Sequence, residues 1–72
     1  MANLNRASLA RANLTRAMFF LADMHGSNLT DALLTGTALD GAWLYNANLA
    51  NADLSQASIV GTVMPDGTMS RT

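Results

Sequence analysis

A large apolar side chain returns at every fifth position without one slip of register: Leu4, Leu9, Leu14, Phe19, Met24, Leu29, Leu34, Leu39, Leu44, Leu49, Leu54, Ile59, Met64 and Met69. Two residues before each stands a small one, Ala in most units and Ser27, Thr37, Thr62 or Gly67 in the others. The chain therefore reads as fourteen tandem five-residue units. Five fits neither regular element. On a straight helix at ~100° per residue, successive large side chains rotate by ~140° and smear around the cylinder. On a flat strand an odd step sends them to opposite faces in turn. Within a unit, however, the small and large residues lie two apart, which is strand alternation with both pointing inward. The remaining three residues must contain a turn that resets the parity. Repeated in one direction, strand and turn wind the chain into a filled tube, a solenoid.

Units such as Ala12-Asn13-Leu14-Thr15-Arg16, Ala47-Asn48-Leu49-Ala50-Asn51 and Ala52-Asp53-Leu54-Ser55-Gln56 resemble the pentapeptide-repeat proteins. That family's motif is a small residue, Asp or Asn, Leu or Phe, a polar residue, then a variable one often filled by Gly. The ending Met64-Pro65-Asp66-Gly67-Thr68 is similar to the close of small members abundant in cyanobacteria. The resemblance covers essentially the whole chain. It implies an all-β fold, a right-handed quadrilateral parallel β-helix with four units per coil. Fourteen units would then make about three and a half coils in a single domain over residues 1–72, with repeats at 2–71 and the last one or two irregular or capping.

If units four apart stack, residues twenty apart become neighbours. The inward columns are Leu4, Met24, Leu44, Met64; Leu9, Leu29, Leu49, Met69; Leu14, Leu34, Leu54; and Phe19, Leu39, Ile59. Met fills irregular gaps in such a column, and Ser27, Thr37 and Thr62 are expected to bond nearby backbone groups. The outward columns carry more information. Asp23 lies under Trp43 and His25 under Tyr45, so one face should present the chain's single Trp beside its single Tyr. Met18, Phe20 and Leu21 form a second apolar group, with Val60 further along the same face and Leu33 on the neighbouring one. Outward positions in the family are usually polar, so these six residues, Met18, Phe20, Leu21, Val60, Trp43 and Tyr45, are the candidate interaction surface.

Arg6, Arg11 and Arg16 close three successive units and should ring three corners of the first coil. Two readings compete, an anion site and protection of an open ladder edge by charge; the second is favoured. Gly26, Gly36, Gly41 and Gly61 take the same corner position later, where a tight turn needs positive φ. Pro65, lacking a backbone donor, is expected where the ladder thins out and serves the same end protection.

Composition mainly removes possibilities. The formal net charge is −1, from four Arg against five Asp, with no Lys and no Glu. That balance argues against general attraction to nucleic acid or acidic membranes. There is no cysteine and a single histidine, which leaves no transition-metal cluster and no thiol chemistry. The five Asp residues fall on different faces or levels, so no acid–base pair and no Ca²⁺ loop arises. An interior packed with Leu and Ala offers a substrate no pocket. No catalytic, metal-binding or cofactor-binding residue is assigned. The apolar run at 17–22 is too short to span a bilayer and lacks the form of a signal peptide, so a soluble, cytoplasmic protein is expected.

These readings point to a non-catalytic structural or protein-interaction module. It would engage a protein partner or itself, end to end or through the outward apolar groups. The alternative is a DNA-mimic protein that binds a type II topoisomerase such as gyrase, as some longer family members do. This chain departs from those acidic rods in its length, its near-neutral charge and the lack of an Asp column. A third reading makes it one repeat domain of a longer polypeptide.

Overall fold

The computed structural model describes residues 3–71. Parallel bridges join Asn3 to Asp23, Asp23 to Trp43 and Trp43 to Val63 on one face, and Ser8 to Asn28 to Asn48 on the next. Asn13 pairs with Leu33 on the third, and Met18 with Ala38 and then Ser58 on the fourth. Every one of these steps is twenty residues, so a coil holds four units and each unit forms one side of a square. No helix occurs among the described residues, and none is long and apolar enough to cross a membrane.

Each corner is a β-turn. The amide of the small residue donates to the carbonyl of the preceding large one, as in Ala7 N–H to Leu4 O at 3.0 Å and Ala47 N–H to Leu44 O at 2.8 Å. The third residue of these turns takes positive φ, the type II requirement. Gly26, Gly36, Gly41 and Gly61 satisfy it at φ near 70°, as expected of glycine. Arg6, Arg11, Arg16, Leu21, Asp31, Asn46 and Asn51 do so as well, at φ of 57° to 64°. For a residue with a Cβ that conformation costs about 1–2 kcal/mol, which the ladder on either side must hold in place. Arg6 and Arg16 show how. Their Cγ atoms lie 3.4 and 3.2 Å from where a Cβ would stand on Gly26 and Gly36, one coil along the same corners.

Burial follows the columns. Met24, Leu29, Leu34, Leu39 and Leu44 are wholly enclosed, with Ala22, Ala32, Ala42 and Ala47 filling the space between them. Leu4, Leu9, Leu14 and Phe19 at one end, and Leu49, Leu54 and Ile59 at the other, are only partly covered. Thr37 and Thr62, also buried, donate their hydroxyls to Leu14 O at 2.8 Å and Leu39 O at 2.6 Å. Ser27 occupies the equivalent position, yet its buried Oγ has no partner. Lacking the Thr methyl, its χ1 is less restricted.

Two departures from the regular winding matter. Met69 does not continue the inward column. Residues 64–70 fold back instead: Met64 N–H donates to Thr68 O at 2.7 Å, Gly61 N–H to Ser70 O at 2.7 Å, and Val63 pairs antiparallel with Met69. Antiparallel pairing across a short reversal reverses the chain direction, so Met69 is 61% exposed.

The other departure is a gap in the ladder between residues 31–35 and 51–56. Elsewhere the amide of the large residue reaches the carbonyl nineteen positions on, as in Met24 N–H to Trp43 O at 2.9 Å. Among the described residues, neither Leu34 N–H to Asp53 O nor Asp53 N–H to Ala32 O forms. Gln56 is where the winding changes. Its φ is not positive, and its own carbonyl, rather than that of Ser55, accepts the Gly36 amide at 2.7 Å. Both changes fall at the turn over residues 54–57. The opened seam has a volume of about 250 Å³.

Candidate functional site

The outward positions are the two residues flanking each large side chain. Where the first flank is Asn or Asp, its side-chain oxygen accepts the amide two residues on, at 3.1 Å from Asn3 to Asn5, 3.0 Å from Asn28 to Thr30, 3.0 Å from Asn48 to Ala50 and 2.8 Å from Asp53 to Ser55. This Asx turn keeps such side chains low against the coil. Trp43 has no acceptor to offer, so its ring stands out from the face. Bridges place it between Asp23 and Val63. The second flank follows the same register, since Gly26 N–H donates to Tyr45 O at 2.9 Å and Asn46 N–H to Pro65 O at 3.0 Å. Tyr45 therefore stacks beyond His25, with ring centroids 5.5 Å apart and planes inclined by 35°.

The outcome is an open concavity of about 530 Å³ lined by Asp23, His25, Trp43, Tyr45, Val63 and Gly67. Trp43 is 58% and Tyr45 45% exposed, large values for aromatic side chains that are not packed into a core. Gly67 closes one side. A Cβ there would lie 3.4 Å from Tyr45 Cε1, and its φ of 89° also favours glycine. Asp23 is the least engaged of the carboxylates and amides in Asx geometry, its Oδ1 lying 3.4 Å from the His25 amide.

The sequence brings Trp43 and Tyr45 to one face, and the coordinates place them there together with Asp23 and His25. Val63 sits on the regular step of twenty beyond Trp43, as the stacking of units predicts, whereas the contribution of Gly67 depends on the fold-back at 64–70, which the five-residue period does not announce. Met18, Phe20, Leu21 and Val60 are all exposed. They do not merge into one surface, because Asp40 stands between Phe20 and Val60, accepting from Ser58 Oγ at 2.6 Å and from the Val60 amide at 2.8 Å. Leu21 leans over the same corner one coil on, its Cδ2 2.6 Å from the Cβ position of Gly41. Arg6, Arg11 and Arg16 occupy three consecutive corners, and Pro65 lends its carbonyl to the ladder at the far end.

Two carboxylates, Asp53 and Asp66, have displaced titration. The Ser55 amide, and then its hydroxyl, hold the Asp53 carboxyl below its ordinary value. At Asp66 the Thr68 hydroxyl does so first, then the Thr68 amide. No group of three or more His, Cys, Asp or Glu residues able to hold a metal ion occurs among the described residues.

Comparison with known proteins follows the same geometry. A family model described as pentapeptide repeats matches residues 2–36 and 32–71, in eight copies. Among solved structures, the chain is similar to a pentapeptide repeat protein, Rfr23, from the cyanobacterium Cyanothece 51142. The TM-score is 0.86 and the identity 29%, over 94% of this chain and 46% of that one. HetL from Nostoc sp. strain PCC 7120, a pentapeptide repeat protein involved in heterocyst differentiation regulation, aligns at TM-score 0.43 and 27% identity, over 94% of this chain and 43% of its own. The chain thus spans less than half the length of these two proteins. No curated protein matches it.

Proposed function

Since the chain belongs to the pentapeptide-repeat family, whose members fold as right-handed quadrilateral β-helices, we propose that it is a non-catalytic module that docks a protein surface on the face bearing Trp43 and Tyr45. In this reading residues 1–72 form one domain of about three and a half coils, placed in the cytoplasm and capped by the fold-back at 64–70. The observation that carries the proposal is the aromatic concavity. Trp43, exposed where several equivalent positions are filled by Asn or Asp bound down to the backbone, stands beside the half-exposed ring of Tyr45, and the pair suits a contact surface. Met18, Phe20 and Leu21 offer a second such surface, while Arg6, Arg11 and Arg16 discourage uncontrolled strand addition at one end.

The topoisomerase-binding reading gains no comparable support. Asp23, Asp40 and Asp53 stand on three different faces and Asp31 at a corner, so no line of carboxylates imitates a phosphate backbone. Sedimentation velocity over a concentration series tests the docking reading, taking a second copy of the chain as the available protein surface. A mass that rises with concentration and returns to that of the monomer in Trp43→Ser is expected. A strict monomer at high concentration, unchanged by Trp43→Ser or Phe20→Ser, would remove its main support.

A further inference from the structure

The concavity is not simply apolar, and its one carboxylate restricts what can fill it. Asp23 lines the same hollow as Trp43 and Tyr45, directly beneath Trp43 in the column. A wholly apolar occupant would strip water from that carboxylate and return no hydrogen bond or charge in its place. An anionic occupant would be repelled. A cation meets attraction from both sides: the negative faces of the rings and a charge-assisted hydrogen bond to the carboxylate.

Asp23 is also available. Its bond to the His25 amide, 3.4 Å, is longer than those of Asn3, Asn28, Asn48 and Asp53 in the same geometry. No guanidinium among the described residues pairs with it; the corners of its own unit are Leu21 and Gly26, and Arg6, one coil away, lays its stem against Gly26.

We propose that Asp23, Trp43 and Tyr45 form a cradle for an arginine side chain presented by a protein partner. A guanidinium is planar, stacks on aromatic faces and offers two parallel donors to a carboxylate, which a compact ammonium does not. The hollow of about 530 Å³ has room for the side chain and its flanking backbone. This inference rests on the docking reading above and adds the chemistry of what is docked.

Trp43 is the only tryptophan, so its emission reports on the site directly. The full chain is titrated at low salt with N-acetyl-arginine amide, and in parallel with the lysine and norleucine amides. A saturable change in Trp43 emission with arginine amide is expected. Lysine amide should bind more weakly, and norleucine amide at least about fivefold more weakly, the factor belonging to about 1 kcal/mol. Asp23→Asn should weaken the arginine amide by a similar factor. That variant keeps the fold, because Asn3 already fills the equivalent position one coil away with its Asx bond intact. Tyr45→Leu should also weaken binding, with circular dichroism confirming that the coil persists.

Equal binding of norleucine and arginine amides would overturn the proposal in favour of plain apolar docking. So would an Asp23→Asn affinity within twofold of wild type, or the absence of any saturable response. If sedimentation still shows association that depends on Trp43 while the arginine titration fails, the docking face stands and only its cationic occupant falls.

Discussion

At the scale of single residues, the hydroxyls inside the tube and the glycines at its corners make separable contributions. Thr37 and Ser27 occupy equivalent buried positions, but only Thr37 completes a hydrogen bond, to Leu14 O. Removing a satisfied hydroxyl costs about 0.5–1.5 kcal/mol, whereas removing an unsatisfied one relieves a penalty. Thr37→Val should therefore lower the urea-derived stability by about 1 kcal/mol, and Ser27→Ala should leave it unchanged or raise it. Equal losses in the two variants would contradict this account. The corners permit a similar contrast. Around Gly61 a Cβ meets nothing within 4 Å, so Gly61→Ala isolates the cost of positive φ. It should destabilise by about 1 kcal/mol. Gly36→Ala should cost more, since its Cβ would press on the Arg16 stem at 3.2 Å.

The element of this fold is the ladder between successive coils, and its weakest rung lies between residues 33 and 53. Leu34 is 2% exposed, yet its amide lacks the ladder bond that its counterparts at Met24, Leu29, Leu39 and Leu44 make. Local opening is cheapest where backbone hydrogen bonds are missing. Hydrogen exchange should accordingly be faster at the Leu34 and Asp53 amides than at Met24 and Leu44. Gln56→Gly offers the corner a residue that takes positive φ readily, as the other corners do. It should slow exchange at Leu34 towards the rate of its counterparts. Unaltered exchange in that variant would mean that the turn at 54–57 does not govern the seam.

For the whole molecule, the enclosed part of the core is confined to the middle of a chain measuring 24 × 22 × 21 Å along its principal axes. A tube this short has few interior side chains to share a loss. Leu39→Ala, at a position with no exposure, should cost about 2–5 kcal/mol, enough to lower the denaturation midpoint sharply in a urea titration. Leu4→Ala, at a partly covered end, should cost less. Acid acts on the fold through Asp53 and Asp66, whose carboxyls are held below their ordinary value by hydrogen bonds from Ser55 and Thr68. Each binds a proton more weakly folded than unfolded. Their stabilisation is thus complete above the unfolded value, about 3.9, and disappears as pH falls through the lower folded values. Thermal melts across that acid window should show a shallower decline in Asp53→Asn and in Asp66→Asn than in wild type. Parallel declines would indicate that other groups carry the acid response.

The amino-acid pattern by itself determined that this chain is a coil of five-residue units. Only a winding that resets strand parity at each corner keeps Leu4 through Ile59 pointing the same way. With the family resemblance supplying four units per coil, the offset of twenty followed, and with it Trp43 over Asp23 and Tyr45 over His25. Three features were settled only by tertiary structure. Met69 has the spacing of an inward residue but lies outside, because pairing antiparallel with Val63 competes with continuing the parallel column, and a side-chain period is blind to backbone direction. The seam at residues 33 and 53 coincides with the corner at Gln56, which lacks the positive φ of its counterparts, a backbone choice to which a side-chain period is blind. The concavity owes its wall at Gly67 to the same fold-back, so its depth is a property of the assembled end of the tube and not of any one repeat.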